Sequence, residues 1–250
     1  MKEEWNAAAS RQLDSLFTRI IFDIGFYPGK IILMVVSPKT CTAFLGDRLI
    51  ASGDLRDVAV SAKNILQKGE VPHPLLIFDD LTSELIEVDF RGSAQDVASR
   101  IEKARLAERV EVLEKKPQGP GRPKLGVTGR EVTLLPRHWD WLDGQPGGAS
   151  VTLRKLVEEA KRVNVGKDAF RVAQEATYRF MQDMAGDLPG FEEAMRVLFA
   201  SKKGRLKQFK GIVEPWPNDI RMHVLKLFKR TLKLEEAQSK GERKKERSDA

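Results

Sequence analysis

The residues of this chain whose types could perform chemistry are few and widely spaced. They are three histidines and one cysteine, namely His73, His138, His223 and Cys41. Asp79 and Asp80 are adjacent, so a strand would send their carboxylates to opposite faces, and a turn explains both. Catalysis by ionisable groups needs a pair held in contact, and metal or cofactor binding needs a cluster. We therefore expect no catalytic site, no metal site and no cofactor, and the protein is not predicted to be an enzyme.

A loop-forming stretch, KKPQGPGRPKLG at residues 115–126, is a candidate for binding instead of catalysis. Its prolines and glycines exclude a helix interior and a strand centre. The core Gly121-Arg122-Pro123 resembles an AT-hook, in which an extended Gly-Arg-Pro places its arginine in a narrow minor groove. Lys124 would add a phosphate contact. The alternative is a polar spacer between two domains.

The distribution of charge suggests an anionic partner for the second half of the chain. The formal net charge is +7, from 43 Lys and Arg against 36 Asp and Glu. Residues 1–114 carry 14 basic and 18 acidic side chains, a net charge of −4, which leaves +11 for the rest. A solvated lysine-rich surface and tail would give the same value.

Two similar passages before residue 115 predict a small α+β domain. In the first, a hairpin turns at Gly46-Asp47 and a helix follows. In the second, residues 75–90 have the pattern of strand, turn and strand, and the helix after them has Ser93 as N-cap and Asp96 in the place of a capping-box acid. Two strand-strand-helix units predict one small sheet with helices on one side.

A short β-favouring run, a short helix, a glycine turn and a longer helix are predicted in residues 130–165. Pro136 ends the run and is suited to the first position of the short helix, whose inward residues would be Trp139 and Leu142. Glycines break that helix, and Ser150 is the predicted N-cap of the next one. The apolar stripe of the longer helix consists of Leu153, Leu156, Val157 and Ala160.

This order of elements resembles the ribbon-helix-helix DNA-binding proteins. The residues that carry the resemblance are Leu135-Pro136, Trp139, Leu142, Gly148, Ser150 and Leu156-Val157. The resemblance implies that two chains pair their strands into an antiparallel ribbon that enters the major groove, so the protein would be a homodimer. On this hypothesis Arg130 and Arg137 belong to the DNA-binding surface, and Ser150 lies at a helix N-terminus near a phosphate.

The predicted ribbon departs from that family in one respect. If Leu135 points inward, the alternation of a strand leaves Arg130, Val132 and Leu134 facing the groove. Of these three side chains, only that of Arg130 is suited to contact base edges. The alternative hypothesis is therefore a protein-protein interaction module, as in antitoxin-like dimers, that does not contact DNA.

The sequence predicts six regions along the chain. They are a poorly organised extension (1–38), an α+β domain (39–114), a basic Gly/Pro linker (115–129), the ribbon-helix-helix-like segment (130–165), a helical region (166–234) and a disordered basic tail (235–250). The apolar run at residues 20–36 is interrupted by charges, glycines and a proline, so no membrane-spanning helix is expected. One cysteine without zinc-type spacing indicates a reducing compartment, so we expect a cytoplasmic protein.

Several runs of residues carry a second resemblance. They are CTAFLGDRLIASG (41–53), GRPKLG (121–126), LPRHWDWL (135–142), GGASV (147–151) and AGDLPGFEEA (185–194). Through them the chain, from residue 41 to residue 228, is similar to a bacterial family known as domain of unknown function 2239. The resemblance implies a bacterial origin and brings no activity with it. Since members begin near Val35, it also suggests Met34 as the initiator and residues 1–33 as an extended start.

Together these features predict a dimeric DNA-binding protein of the transcriptional-regulator type. The segment at 130–165 would be the dimerising and DNA-contacting element, and the α+β domain would be a sensor or the binding site for a protein partner. The alternative is a dimer of the same fold that binds partner chains and not DNA.

Overall fold

The computed structural model describes residues 40–69, 73–114, 129–201 and 204–248. In chain order the strands are β1 (Thr40–Leu45), β2 (Arg48–Asp54) and β3 (Leu75–Asp79). The described helices are α1 (Leu55–Gln67), α2 (Ala94–Glu114), α3 (Pro136–Asp143), α4 (Gly148–Ala185), α5 (Phe191–Phe199), α6 (Arg205–Ile212) and α7 (Asn218–Ser248). The fold is mixed α+β and mostly helical, with α1 between β2 and β3 and the other helices after the sheet.

The sheet is antiparallel, with β1 at its centre and β2 and β3 on either side. Cys41 lies opposite Gly53 on β2 and opposite Asp79 on β3. The predicted hairpin between β1 and β2 is confirmed at Gly46-Asp47, where Gly46 has φ +60°, a conformation that costs glycine little because it has no Cβ. Since β1 also pairs with β3, it lies at the centre of the sheet.

The second strand-strand-helix unit is predicted wrongly, because β3 has no second strand of its own. Asp79 Oδ1 accepts hydrogen bonds from the backbone N–H groups of Leu81 and Thr82, which closes a tight turn. Only an isolated bridge between Phe78 and Leu85 follows it. The alternating apolar residues that suggested a strand pack instead against the Cys41 side of the core; they are Ile86, Val88 and Phe90. The backbone N–H of Ile86 still donates to the carbonyl oxygen of Ile77 at 2.8 Å, but no strand continues from this contact.

Local capping explains where two of the helices begin. The Asp54 side chain accepts a hydrogen bond from the backbone of Arg56 at the start of α1. At the start of α2, the predicted capping box is confirmed: Ser93 N donates to Asp96 Oδ2 at 2.8 Å, and Asp96 N donates to Ser93 Oγ at 3.2 Å.

Helices cover both faces of the sheet, not one face as the sequence suggested. Cys41, Ala43 and Ile77 pack with Val58 of α1 in a small core. The opposite face presents Phe44 and Phe78 to the larger core that the helices α4 to α7 form, whose buried residues include Phe180, Met181, Leu198, Phe209, Val224 and Phe228. The expected α+β domain and helical region therefore share one hydrophobic core, and their described residues fall into one unit.

A single helix, α4, spans the predicted boundary between residues 165 and 166. Its 38 residues run from Gly148 to Ala185 without a break. Gly166 is the one glycine in its middle, and an isolated glycine costs a helix only about 1 kcal/mol, which packing readily offsets. The sequence suggested a boundary here, between the ribbon-helix-helix-like segment (130–165) and the helical region (166–234).

The last helix, α7, extends through Ser248, where the sequence suggested a disordered tail. The residues after Leu234 are mainly Glu, Lys, Arg, Gln and Ala, which have high helix propensity and include no proline. The helix propensity of these residues therefore explains why the helix continues beyond its last apolar contacts. Although α4 and α7 are long, none of the described helices has an apolar stretch suited to crossing a bilayer.

Candidate nucleic-acid interface

The polar residues considered for catalysis hold the turn after β3 in place. Asp80 accepts a hydrogen bond from Thr42 Oγ1 at 2.6 Å. The guanidinium of Arg230 on α7 donates to the carbonyl oxygen of Asp80 at 3.0 Å, and that of Arg179 on α4 donates to the carbonyl oxygen of Thr82 at 2.9 Å. Among the described residues, no three side chains of metal-binding type lie together. These contacts tie the sheet to two helices.

The histidine and the cysteine with the most perturbed acidity are core groups. The His223 ring lies 4.4 Å from that of Phe180 and 5.5 Å from that of Phe44, measured between centroids. Burial, followed by the nearby charge of Lys226, lowers the pKa of His223 to about 4. Burial, followed by the charges of nearby aspartates, raises the pKa of the Cys41 thiol to about 12. Both groups are therefore neutral at pH 7, which their apolar surroundings favour.

The segment at residues 130–165 is built differently, beginning with a stretch that is not part of any sheet. Residues 129–135 have no regular secondary structure in the single chain, so the predicted strand is not formed there. The side chains of Val132 and Leu135 are 59% and 48% exposed. A strand needs a hydrogen-bonded neighbour, and the described part of this chain offers none to this stretch.

Helix α3 starts at Pro136, as predicted, and presents most of its surface to solvent. The backbone N–H groups of His138 and Trp139 donate to the carbonyl oxygen of Leu135. Leu142 is the buried residue of this helix. Trp139, which was expected to point inward with Leu142, is 37% exposed, because one short helix covers only one side chain fully.

Glycines make the turn from α3 into α4. Gly147 is the N-cap, with φ +91°, and its Cα hydrogens face Val151: a Cβ at this position would lie 3.1 Å from the Val151 side chain. The predicted N-cap, Ser150, is therefore wrong by three positions and lies in the first turn of the helix. Its exposed side chain remains at the N-terminal end, where the helix dipole favours an anion.

The two halves of α4 direct their apolar faces to different sides. In the C-terminal half, the buried residues are Ala173, Ala176, Thr177, Phe180, Met181 and Ala185. In the N-terminal half, the apolar stripe consists of Leu153, Leu156, Val157, Ala160 and Val163. At about 100° per residue, the N-terminal stripe lies roughly 110° around the helix axis from the C-terminal one. The N-terminal stripe therefore does not face the core that the rest of the helix helps to build.

Exposed apolar side chains concentrate in this segment. Among the described residues, fifteen large apolar side chains are exposed, and eight of the fifteen lie between residues 130 and 165. These eight, called the apolar surface below, are Val132, Leu135, Trp139, Trp141, Leu156, Val157, Val163 and Val165. Such a concentration in one segment is typical of an interaction surface.

The basic residues predicted to bind DNA lie in and before the segment. Arg122 and Lys124 lie outside the described residues. Arg130 and Arg137 are both exposed, and no described hydrogen bond joins either of them to the start of α4. A further basic residue that the sequence interpretation did not consider, Arg154, lies in the same segment on α4, and its Nε donates to the carbonyl oxygen of Ser150 at 3.1 Å. Its position four residues after Ser150 was the available signal, because such a spacing places both on one helix face.

A cleft of about 620 Å³ lies between α4 and α7, beside the N-terminal half of α4. At the crossing itself, a Cβ on Gly166 would lie 3.9 Å from the Cα of Gln238, so the helices are in close contact there. Arg162 lines the cleft but pairs with Glu159 on its own helix.

The chain thus has the architecture of an α+β protein whose sheet is covered on both faces and whose longest helix extends into an exposed segment. It belongs to the bacterial family described as "Uncharacterized protein conserved in bacteria (DUF2239)", whose model matches residues 40–228. The family resemblance inferred from the sequence is therefore confirmed. The match begins with β1 and ends at Phe228 in α7, so it includes both the core and the segment. No curated protein and no solved structure matches the chain significantly.

Proposed function

We propose that this protein is a homodimer that binds DNA through residues 130–165, with the arrangement of a ribbon-helix-helix protein. The observation that carries the proposal is the apolar surface, which a single chain leaves in water. Burial of such surface is the main driving force of protein association. The dimer would form first, and DNA binding would depend on it.

The size of the apolar surface is suited to a dimer. Eight large side chains that are each roughly half exposed present on the order of 700 Å², close to the ~800 Å² that each partner buries in a standard interface. The surface spans the stretch before α3, α3 itself and the first half of α4. A second copy would cover all three parts at once if the two stretches paired about a two-fold axis.

The stretch at residues 129–135 favours a second copy over an unrelated protein as the occupant. Its backbone has no sheet partner in the described chain, and antiparallel pairing with its own copy would satisfy both backbones equally. Leu135 is exposed in the single chain and would become an inward residue of that ribbon. The side chains of Arg130, Val132 and Leu134 would then face outward.

The basic residues in and before the segment support DNA as the ligand of such a dimer. Arg130 would contact base edges from the ribbon, and Arg137 and Arg154 would contact phosphates from the two helices. Arg122 and Lys124 would add contacts from the preceding Gly-Arg-Pro loop, in the minor groove and at the backbone. The excess of +11 after residue 114 favours the same partner.

Sedimentation tests the dimer, with two variants of matched chemistry. We expect the wild-type protein to have the mass of a dimer at micromolar concentration, and Val157→Glu to have that of a monomer. Leu81→Glu is the control, because Leu81 is 56% exposed, similar to the 54% of Val157, but lies outside the segment. A monomeric wild-type protein, or an equal effect of both substitutions, would contradict the proposal.

Fluorescence anisotropy tests the DNA ligand, with AT-rich and mixed duplexes at two salt concentrations. We expect binding that weakens as salt increases, and loss of binding in Val157→Glu and in the double variant Arg122→Glu with Arg130→Glu. Absence of binding by the wild-type dimer at low salt would end the DNA proposal.

A second candidate function is the binding of a protein partner by the same dimer. It is favoured by Val132, an apolar side chain that is 59% exposed at a position from which the ribbon would contact DNA. On this hypothesis, charge reversal at Arg122 and Arg130 would leave partner binding intact, and Val132→Glu would abolish it.

A further inference from the structure

Helix α7 has its apolar residues on one face and a row of basic residues on the opposite face. One face supplies buried residues to the large core, namely Ile220, Val224, Leu227, Phe228 and Thr231. The acidic Glu235 also lies toward this side, where it pairs with Arg205, a buried arginine at the start of α6. The inner side of the helix is therefore occupied by apolar groups and by a neutralised ion pair.

The opposite face of α7 presents a row of exposed lysines, called the lysine stripe below. Its described members are Lys226, Lys229, Lys233 and Lys240. At 3.6 residues per turn these positions fall on one side of the helix, roughly 160° from the buried face. None of the four forms an ion pair with a carboxylate in the described part of the chain, and one acidic residue, Glu236, shares their face.

The four lysines lie along one side of α7 over about four helical turns. From residue 226 to residue 240 the stripe is about 20 Å long, at 1.5 Å per residue. Measured along the axis of a duplex, this length corresponds to roughly six base pairs at 3.4 Å each.

The composition of the stripe favours a nucleic acid over a membrane. A helix that lies in a membrane interface inserts an apolar face beside its basic one, but the apolar face of α7 is already buried in the core. Among the residues of this helix whose side chains are described, Met222 is the only large apolar one that is exposed. Lysine also acts as a point charge, suited to phosphates and not to the paired acceptors of a base.

We propose that α7 is a second DNA-binding surface, which contacts the phosphate backbone of a duplex without regard to sequence. This inference takes its ligand from the proposed function but uses no residue of the segment at 130–165. DNA held by the segment would thus gain affinity from a separate row of charges.

The test is the salt dependence of binding to a mixed-sequence duplex of about 20 base pairs, longer than the stripe. The variant carries Lys226→Gln, Lys229→Gln, Lys233→Gln and Lys240→Gln. Because each lost phosphate contact lowers the slope of log affinity against log salt by about 0.9, we expect the slope to decrease by about three to four units. Sedimentation should give the same mass as for the wild type.

The control removes four exposed basic residues from other helices, by Arg56→Gln, Lys68→Gln, Lys103→Gln and Arg196→Gln. It has the same net charge as the variant, so a general effect of charge would lower both slopes equally. A variant slope equal to that of the wild type, or equal to that of the control, would overturn the inference. So would wild-type binding to phosphatidylserine vesicles in preference to the duplex.

The experiment separates this inference from the proposed function. Binding that is lost in Arg130→Glu but unchanged in the lysine variant supports the segment and refutes the stripe. Binding that survives Arg130→Glu and Val157→Glu but depends on the lysines supports the stripe and refutes the segment. Absence of duplex binding by the wild-type chain refutes both.

Discussion

The two halves of α4 show how one continuous helix serves two environments. The C-terminal half buries Phe180 and Met181 against the sheet and three other helices. The N-terminal half turns Leu156 and Val157 toward solvent, on a different side of the same helix. The difference shows that apolar residues in a helix do not by themselves identify a core. Their position around the helix axis decides whether they face the core or solvent. Substitutions in the two halves should therefore differ in what they damage.

The largest contrast is expected between two aromatic residues of similar size. Phe180→Ala should lower the free energy of unfolding by about 3–5 kcal/mol, because it removes a fully buried ring and leaves a cavity. Trp141→Ala should change it by no more than about 0.5 kcal/mol, since the tryptophan is 53% exposed. Urea unfolding measures both, on the Val157→Glu background, so that the proposed dimer would not contribute. Equal losses would contradict the distinction between the core half of α4 and the exposed segment, to which Trp141 belongs.

The next contrast is in pH dependence. Burial lowers the pKa of His223 to about 4, below the ordinary value of 6.5, so the unfolded chain binds the proton more readily than the folded one. The contribution of the neutral, buried His223 to the free energy of unfolding is fully present above about pH 6.5. This contribution is lost as the pH falls toward 4, by about 3 kcal/mol in total. Below pH 4 this contribution no longer changes.

Urea unfolding between pH 7 and 4 measures the contribution of His223. His223→Gln should remove this part of the pH dependence, whatever its effect on stability at pH 7. His138→Gln, at an exposed position in the segment, should retain it. A pH profile of His223→Gln identical to that of the wild type would show that this imidazole is not the group responsible.

Two glycines with similar backbone angles sharpen the comparison further. Gly190 in the core region has φ +78°, and Gly148 in the segment has φ +70°. Alanine strains both positions by about 1 kcal/mol, but a Cβ on Gly190 would also lie 2.9 Å from Ile212 Cγ2, whereas nothing lies within 4 Å of one on Gly148. Thermal unfolding should show Gly190→Ala to be the more destabilising by about 1–3 kcal/mol. The reverse order would mean that the segment is packed as tightly as the core.

The smallest effect is expected where the two halves of α4 meet. Gly166 lies inside the helix with ordinary backbone angles, and a Cβ there would make normal van der Waals contact with Gln238. Gly166→Ala should therefore stabilise the protein by about 0.5–1 kcal/mol, because alanine loses less backbone entropy on folding. Urea unfolding on the Val157→Glu background measures this change in stability. A loss of stability would indicate that the crossing of α4 and α7 requires glycine.

Local signals in the sequence were sufficient for the features that depend on a few neighbouring residues. Ser93 and Asp96 predicted a helix start, Gly46-Asp47 predicted a hairpin, and Pro136 predicted the first residue of α3; the structure has all three. Each depends on hydrogen bonds or backbone angles within one turn of chain, so the residues themselves specify it.

The features that were missed depend on partners far away in sequence. Nothing near Phe44 indicates that its ring will contact Phe180 and His223, so the sequence suggested separate domains where the structure has one core. The boundary predicted between residues 165 and 166 falls inside α4, whose C-terminal half packs against residues far away in sequence. In the candidate site, the apolar stripe at Leu156 was identified correctly, but its exposure depends on where the other helices pack.

The placement of β1 against α7 has a consequence for how the chain acquires its structure during synthesis. Leu49 donates its backbone N–H to Asp219, which follows it by 170 residues, and Phe44 packs on His223, so the early strands are completed by helix α7. Until α7 has left the ribosome, this part of the phenylalanine face of the nascent sheet stays uncovered. The emerging hairpin is therefore expected to be a substrate for chaperones until α7 is synthesised.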